Sequence, residues 1–154
     1  MTLATLVMPA SLTLQIGLCA SHFEPLQHLA AWAAQQQAAA LSQFIGRVRG
    51  TTATGEPLEA LELEHYPGMT EHQLEQLAKA CGQRHGVSAV LVQHRVGRIP
   101  PGEAIVLVAV AADRRGPAQR CCQELLEALK HEAPFWKREW SGGCGRWIDG
   151  NTPL

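Results

Sequence analysis

The sequence predicts an α+β fold in which a mixed, mainly antiparallel sheet packs with about three helices. Three observations lead there. Ala104 to Ala112 is an almost unbroken apolar run, as a central strand buried on both faces requires. Helical apolar stripes recur, and pairs of strand-like runs separate them, which argues against strict parallel winding. Turn signals such as Pro67-Gly68 and Ser141 to Gly145 divide the runs.

The elements follow in order. Ser11 to Ile16 alternates as a strand, with Leu12, Leu14 and Ile16 on one face. Ser21 is placed to cap a helix with Pro25 in its first turn, and Leu26, Leu29, Ala30 and Ala33 give it apolar spacing. The run Gln35-Gln36-Gln37 either extends this helix or loops into the next strand, Leu41 to Val48. Thr51 to Pro57 is a loop of small residues. Leu61, Leu63 and His65 share one face of the next strand, and Glu62, Glu64 and Tyr66 the other. Thr70 with Gln73 reads as a capping box for a helix whose stripe is Leu74, Leu77, Ala78 and Cys81, with Gly86 at its end. Val87 to Val96 is a strand, and Gly97 to Gly102 a connector to Ala104–Ala112. A helix from about Pro117 to Glu132 turns Cys121, Leu125, Ala128 and Leu129 inward. A glycine turn precedes Arg146-Trp147-Ile148, and the tail from Asp149 frays. No repeat or internal boundary divides residues 1–154, so they are read as a single domain.

At 154 residues the chain is long enough for one core, and 46% hydrophobic with 18% charged residues is an ordinary globular profile. The net charge of -1 offers no global field for nucleic acid or a membrane surface. No Lys or Arg precedes Arg47, so any anion site must be local. The apolar opening, Met1 to Ala20, lacks the positive start of a signal peptide, and no run spans a bilayer. Cys19, Cys81, Cys121, Cys122 and Cys144 are odd in number and contain no C-x-x-C pair, which suits a reduced, cytoplasmic chain.

The most informative stretch is Leu129 to Trp140. Pro134 cannot continue a helix and pushes Ala133 out of the helical region. Lys130 then sits in a last helical turn and Lys137 on the strand beyond, with Phe135 and Trp136 expected to be buried between them. Burial and a second nearby cation each lower a lysine's pKa and fit it for acid, base or nucleophilic work. The plainer account is that Lys130 complements a helix C-terminus and Lys137 snorkels past an aromatic ring. Cations recur at other predicted element ends, at Arg47/Arg49, Arg114/Arg115 and Lys137/Arg138. Together they would suit a small phosphorylated substrate, and singly they are solvated edge charges. The seven histidines make no zinc-spaced pattern. His65 is expected to bond within the sheet, and His94 and His131 to lie near the surface. Cys144 is a stray exposed thiol before it is a nucleophile. No phosphate-loop or dinucleotide glycine pattern occurs.

Leu63-Glu64-His65-Tyr66-Pro67-Gly68-Met69-Thr70-Glu71 resembles the signature of the large, catalytic subunits of molybdopterin synthase. Phe44 to Arg49, His94-Arg95-Val96-Gly97 with Gly102-Glu103, and Leu129-Lys130 through Ala133 to Glu139 resemble three more segments of that family in the same order. The resemblance runs from about Leu41 to Trp147. It implies an α/β-hammerhead fold and a sulfurtransferase that builds the molybdopterin dithiolene on cyclic pyranopterin monophosphate. It also implies a small ubiquitin-like partner whose C-terminal Gly-Gly thiocarboxylate brings the sulfur, and a homodimer within a heterotetramer. No cofactor or metal is implied. Lys130 and Lys137 match the family's essential lysines, Lys130 as acid or base at the carbon that accepts sulfur. Lys137, Arg138 and Glu139 match the segment that would hold substrate and thiocarboxylate. Arg47, Val48 and Arg49, with Arg114, match the segments expected to hold phosphate and pterin, and Arg146 an arginine that reaches the opposite subunit's pocket. Asp113 stands where the family usually has histidine, and Arg47 where it has lysine. The Asp113 change leaves open a descendant that binds pterin or small subunit without making product.

Overall fold

The computed structural model describes residues 11–149. The first ten residues of the apolar opening and the tail beyond Asp149 lie outside the described residues. Two four-stranded sheets form, where the sequence suggested one. The first is built from β1 (Thr13–Cys19), β4 (Ala89–Arg95), β6 (Ala104–Ala112) and β2 (Ala40–Arg47), in that spatial order. β1 runs parallel to β4, and the other pairings are antiparallel. The second sheet is wholly antiparallel, in the order β5 (Gly97–Ile99), β3 (Ala60–His65), β7 (Phe135–Ser141) and β8 (Cys144–Ile148).

Three helices cover the first sheet. α2 (Met69–His85) and α3 (Arg115–Glu132) bury Leu74, Ala78, Cys81, Cys121, Leu125 and Leu129 against Val90, Val92, Val106, Val108 and Val110. α1 (Pro25–Ala33) packs Trp32 against Leu91, Leu107 and Ala109 on the opposite face. With both faces covered, β6 is buried along nearly its whole length, as its apolar run required.

Several local expectations change. α1 begins with Pro25 at its first turn, but its N-cap is Glu24 rather than Ser21, and no side chain caps it. It is also rotated: Pro25 and Trp32 are buried, while Leu26 is exposed. Gln35 to Gln37 lie in the turn and loop that follow. Gly97–Ile99 is a strand rather than a connector, because it finds Leu61 to Leu63 of β3 as partner. Three residues before two prolines carry no period that could announce a strand. The α2 box is made by Glu71, whose carboxylate accepts from the N–H of Gly68. Gly86 ends α2 in the left-handed region, at φ 64°, as expected of it.

Thr70 has a different task from the predicted cap. It is fully buried, accepts from the Tyr66 N–H at 2.9 Å and donates to the Pro134 carbonyl at 3.2 Å. Start of α2 and end of α3 are thereby pinned together. Beyond α3, Ala133 is extended (φ -76°, ψ 136°), and the Phe135 N–H donates to its carbonyl at 2.9 Å. The chain reverses there into β7, which pairs with β3 from His65↔Phe135 to Ala60↔Trp140.

Removing the Thr70 hydroxyl takes the partner from two backbone groups at a partly buried junction. Thr70→Val, which keeps the volume, should therefore cost about 2–3 kcal/mol in urea unfolding. Thr70→Ser, which keeps the hydroxyl and loses a methyl, should cost about 1 kcal/mol. Equal losses would mean that the hydroxyl does not hold the junction.

Candidate active site

The helix break brings two lysines to one place. Lys130 lies in the last turn of α3 and Lys137 two residues beyond Phe135 on β7, and both are half-buried. Lys137 stands opposite Leu63 of β3 and Ile148 of β8, so its neighbours across the sheet are apolar. Its amine is held below the ordinary lysine range, first by burial and then by the Lys130 charge. A cation close enough to be felt through protein is the geometry that the Pro134 break was expected to produce.

Aromatic rings wall the place, though not the predicted pair. Phe135 is half-buried and stacks on His94 at the end of β4, with centroids 4.1 Å apart and planes 16° from parallel. Trp136, one residue on, is 51% exposed, because alternation along β7 turns it outward beside Glu64. His94 is buried rather than at the surface. Its Nδ1 donates to the Arg95 carbonyl at 2.8 Å, and burial drives its pKa down to about 4, with Lys137 adding to the effect. The ring is neutral at physiological pH.

The remaining expected residues divide among other places. Arg138 points to the outer face of β7, bonded to Glu62 at 2.7 Å and stacked on Trp140 and Trp147 at 4.8 and 4.7 Å. That bond, first, and one from Trp140 Nε1 hold the Glu62 carboxyl below its ordinary range. Arg138 is thus not on the lysine face. Glu139 is, two residues beyond Lys137, and pairs in register with Arg146 of β8. Both line a groove of about 440 Å³ between the β7–β8 hairpin and residues 52–56. Cys144, exposed, lines it too.

Arg47 and Arg49 are exposed at the end of β2. Gly46, next to them, shares a row with Val106 and His94, so they lie at the lysine end of the first sheet, about 10 Å from β4. Val48 between them is a core residue. It is 4% exposed, its N–H donates to the Glu103 carbonyl at 3.0 Å, and its carbonyl accepts from the Gly102 N–H at 2.9 Å. Asp113 and Arg114 are far away. They border an open depression with Arg115 and Arg120 at the start of α3, about 24 Å along that helix from Lys130. One chain does not bring Arg114 to the lysines.

His65 faces Glu71 of α2 at 3.8 Å rather than a partner in the sheet. Among the described residues no cluster of His, Cys, Asp or Glu is arranged to hold a metal ion, and no helix is long and apolar enough to cross a membrane.

Comparison with known proteins meets this geometry. The sequence profile of the MoaE protein family matches residues 19–132. The chain belongs to the MoaE family. A molybdopterin synthase catalytic subunit of Ralstonia nicotianae is 45% identical over 117 residues, which are 76% of this chain and 66% of that protein. One from Pseudomonas aeruginosa is 40% identical over 129 residues, 83% of this chain and 85% of that protein. The solved structure of a molybdopterin biosynthesis MoaE protein from Burkholderia ambifaria superimposes with a TM-score of 0.73 at 39% identity, over 92% of each chain. The α+β architecture is that of this MoaE structure.

Sequence reasoning missed the burial of His94, although its signal was present. Val90, Val92 and His94 alternate onto one face of a strand whose other members are core residues.

His94 makes stability depend on pH. Its folded pKa, about 4, lies below the ordinary 6.5, so the unfolded chain binds the proton first as pH falls. The stabilisation is complete above about pH 6.5 and lost as pH falls to about 4, on the order of 3 kcal/mol in all. Urea unfolding across that window should show the loss, and His94→Phe should remove that part of it. A variant with the wild-type slope would contradict the assignment.

Proposed function

We propose that this chain is the catalytic subunit of a molybdopterin synthase, transferring sulfur to cyclic pyranopterin monophosphate and so forming the molybdopterin dithiolene. The observation that carries the reading is the Lys130–Lys137 pair: two amines from separate elements, one of them depressed by burial and by the other. Such a pair sets two amines, one of them easier to deprotonate than an ordinary lysine, at one place for proton transfer. Lys130 serves as acid or base at the carbon that takes up sulfur, and Lys137 carries the complementary charge. Arg47 and Arg49, at the same end of the first sheet, hold the phosphate, whose charge grows as the cyclic ester opens.

The sulfur comes from a small ubiquitin-like partner as the thiocarboxylate of an extended Gly-Gly tail. The groove carrying Glu139 and Arg146, beside the strand that bears Lys137, is where we place such a tail, held by backbone hydrogen bonds. The Arg114 corner cannot serve the lysines of its own chain. In a homodimer it can serve those of its partner, and this is the assembly we assign. All five cysteines are free thiols, which fits the reducing cytoplasm.

A second reading, a descendant that binds pterin or small subunit without turnover, is favoured by Asp113 alone. Its side chain is exposed just ahead of α3, where an acid complements the helix N-terminus. Turnover of the cyclic substrate with thiocarboxylated small subunit separates the two. On the synthase reading the wild type makes dithiolene, and Lys130→Ala lowers kcat by about 100-fold or more with an unchanged melting curve. On the second reading the wild type binds its partner and makes none, and Asp113→His restores activity.

A further inference from the structure

The two amines account for chemistry but not for the histidine buried beside them. His94 closes β4 on the face that carries Val90 and Val92. It is 8% exposed, yet a valine or leucine would fill an apolar site without needing a hydrogen bond. The Arg95 carbonyl takes the Nδ1 proton at 2.8 Å, which fixes the tautomer and the plane of the ring. That plane lies flat on Phe135, 4.1 Å between centroids. Phe135 and Lys137 project from the same face of β7, so the stacked pair and the amine share that face.

Several charged and titratable groups surround Lys137. Lys130 approaches from α3, and His94 from β4 is close enough for its own charge state to feel Lys137. Leu63 and Ile148 flank it on β3 and β8, and Glu139 follows it on its own strand. Arg95, beside His94, is turned away into Glu103 and the Arg98 carbonyl. The Cys19 thiol of β1 reaches only the His94 carbonyl, at 3.9 Å. A wall here must be flat, must exclude water and must not add a third positive charge. A neutral imidazole locked to a backbone carbonyl meets all three conditions.

We propose that His94 is a positioning residue for Lys137: a neutral ring that, stacked on Phe135, fixes the start of β7 and shuts water from one side of the Lys137 amine. It touches no reacting atom and acts through Lys137, so the inference rests on reading Lys137 as a working amine.

Trace acetylation of the full chain with acetic anhydride between about pH 6 and 11 tests it, with Lys137 followed by peptide mass spectrometry and exposed Lys79 as internal reference. His94→Ala should raise the Lys137 midpoint toward the ordinary lysine value. His94→Phe, which keeps the stack, should leave it low. In turnover, His94→Ala should lower kcat near neutral pH by roughly ten-fold with KM changed less than about three-fold, and His94→Phe should recover most of the loss. Phe135→Ala removes the other half of the stack and should shift the midpoint in the same way, so it replaces His94→Ala if that variant does not fold. A folded His94→Ala with an unmoved midpoint overturns the proposal, and so does a His94→Phe that titrates like His94→Ala. Labelling needs no turnover. A moved midpoint in a chain without synthase activity would keep this inference and remove the proposed function.

Discussion

A proline that a helix cannot pass through governs the arrangement of the whole site. Were α3 to continue, residue 137 would fall about 10 Å further along the same axis, two turns from Lys130 and on the same rod. Pro134 denies that path. Ala133 goes extended, Phe135 bonds back to the Ala133 carbonyl, and the chain enters a strand of a different sheet. Two amines that would have been neighbours on a solvated helix surface instead face each other across a junction between layers. The junction is held from outside by the Thr70 hydroxyl on the Pro134 carbonyl, and from inside by the His94 ring on Phe135. Neither contact involves a lysine, yet both fix where the lysines stand.

β7 then separates two environments by the alternation of its side chains. Its inner face carries Phe135, Lys137 and Glu139, beside apolar Leu63 and the groove under the β7–β8 hairpin. Its outer face carries Trp136, Arg138 and Trp140, with Arg138 between two indole rings and bonded to Glu62. The outer charges are paired in place, so they stiffen the strand without adding field to the inner face. On the inner face the residues directly across the sheet from Lys137 are apolar, Leu63 and Ile148. This is why adjacent cations, Lys137 and Arg138, end in different circumstances. A run of like charges in a strand is divided by the pleat, and only one of the two can be tuned by burial.

Much of this could be read before any coordinates. The apolar run of β6, the stripes of α2 and α3, and the Pro134 break each rest on local physics that tertiary structure did not override. The failures share a cause. Leu26 has the right spacing for a core position, but Trp32, with more area to bury, set the rotation of α1. Trp136 was expected inside because it is large, whereas the strand phase, fixed by Phe135 and Lys137 facing inward, put it outside. β5 exists only because β3 offers it a partner. Division into two sheets depends on which strands pair, and no strand's own pattern states that. The site lysines were legible from a break in one segment. The outward turn of Arg138, the burial of Val48 and the distance to Arg114 depend on phase and length, which residue type does not convey.

The distance to Arg114 carries the last step. α3 follows β6 directly and runs back along β6 and β2, so its two ends lie at opposite ends of those strands. Its 18 residues set a separation of about 24 Å between Arg114 and Lys130 that no side chain can bridge. A phosphate-holding role for Arg114 and an acid–base role for Lys130 therefore cannot both be exercised on one small substrate by one chain. The same length that buries Cys121, Leu125 and Leu129 against the sheet makes each protomer incomplete on this reading. A symmetric pair removes the difficulty, because a two-fold axis can set the start of one α3 near the end of the other and does so twice at once. Asp113 then acquires a second meaning. Ahead of its own helix it is a favourable N-terminal charge, and across such an axis it would stand near the partner's lysines, where a carboxylate lowers the positive potential that a histidine would have left in place.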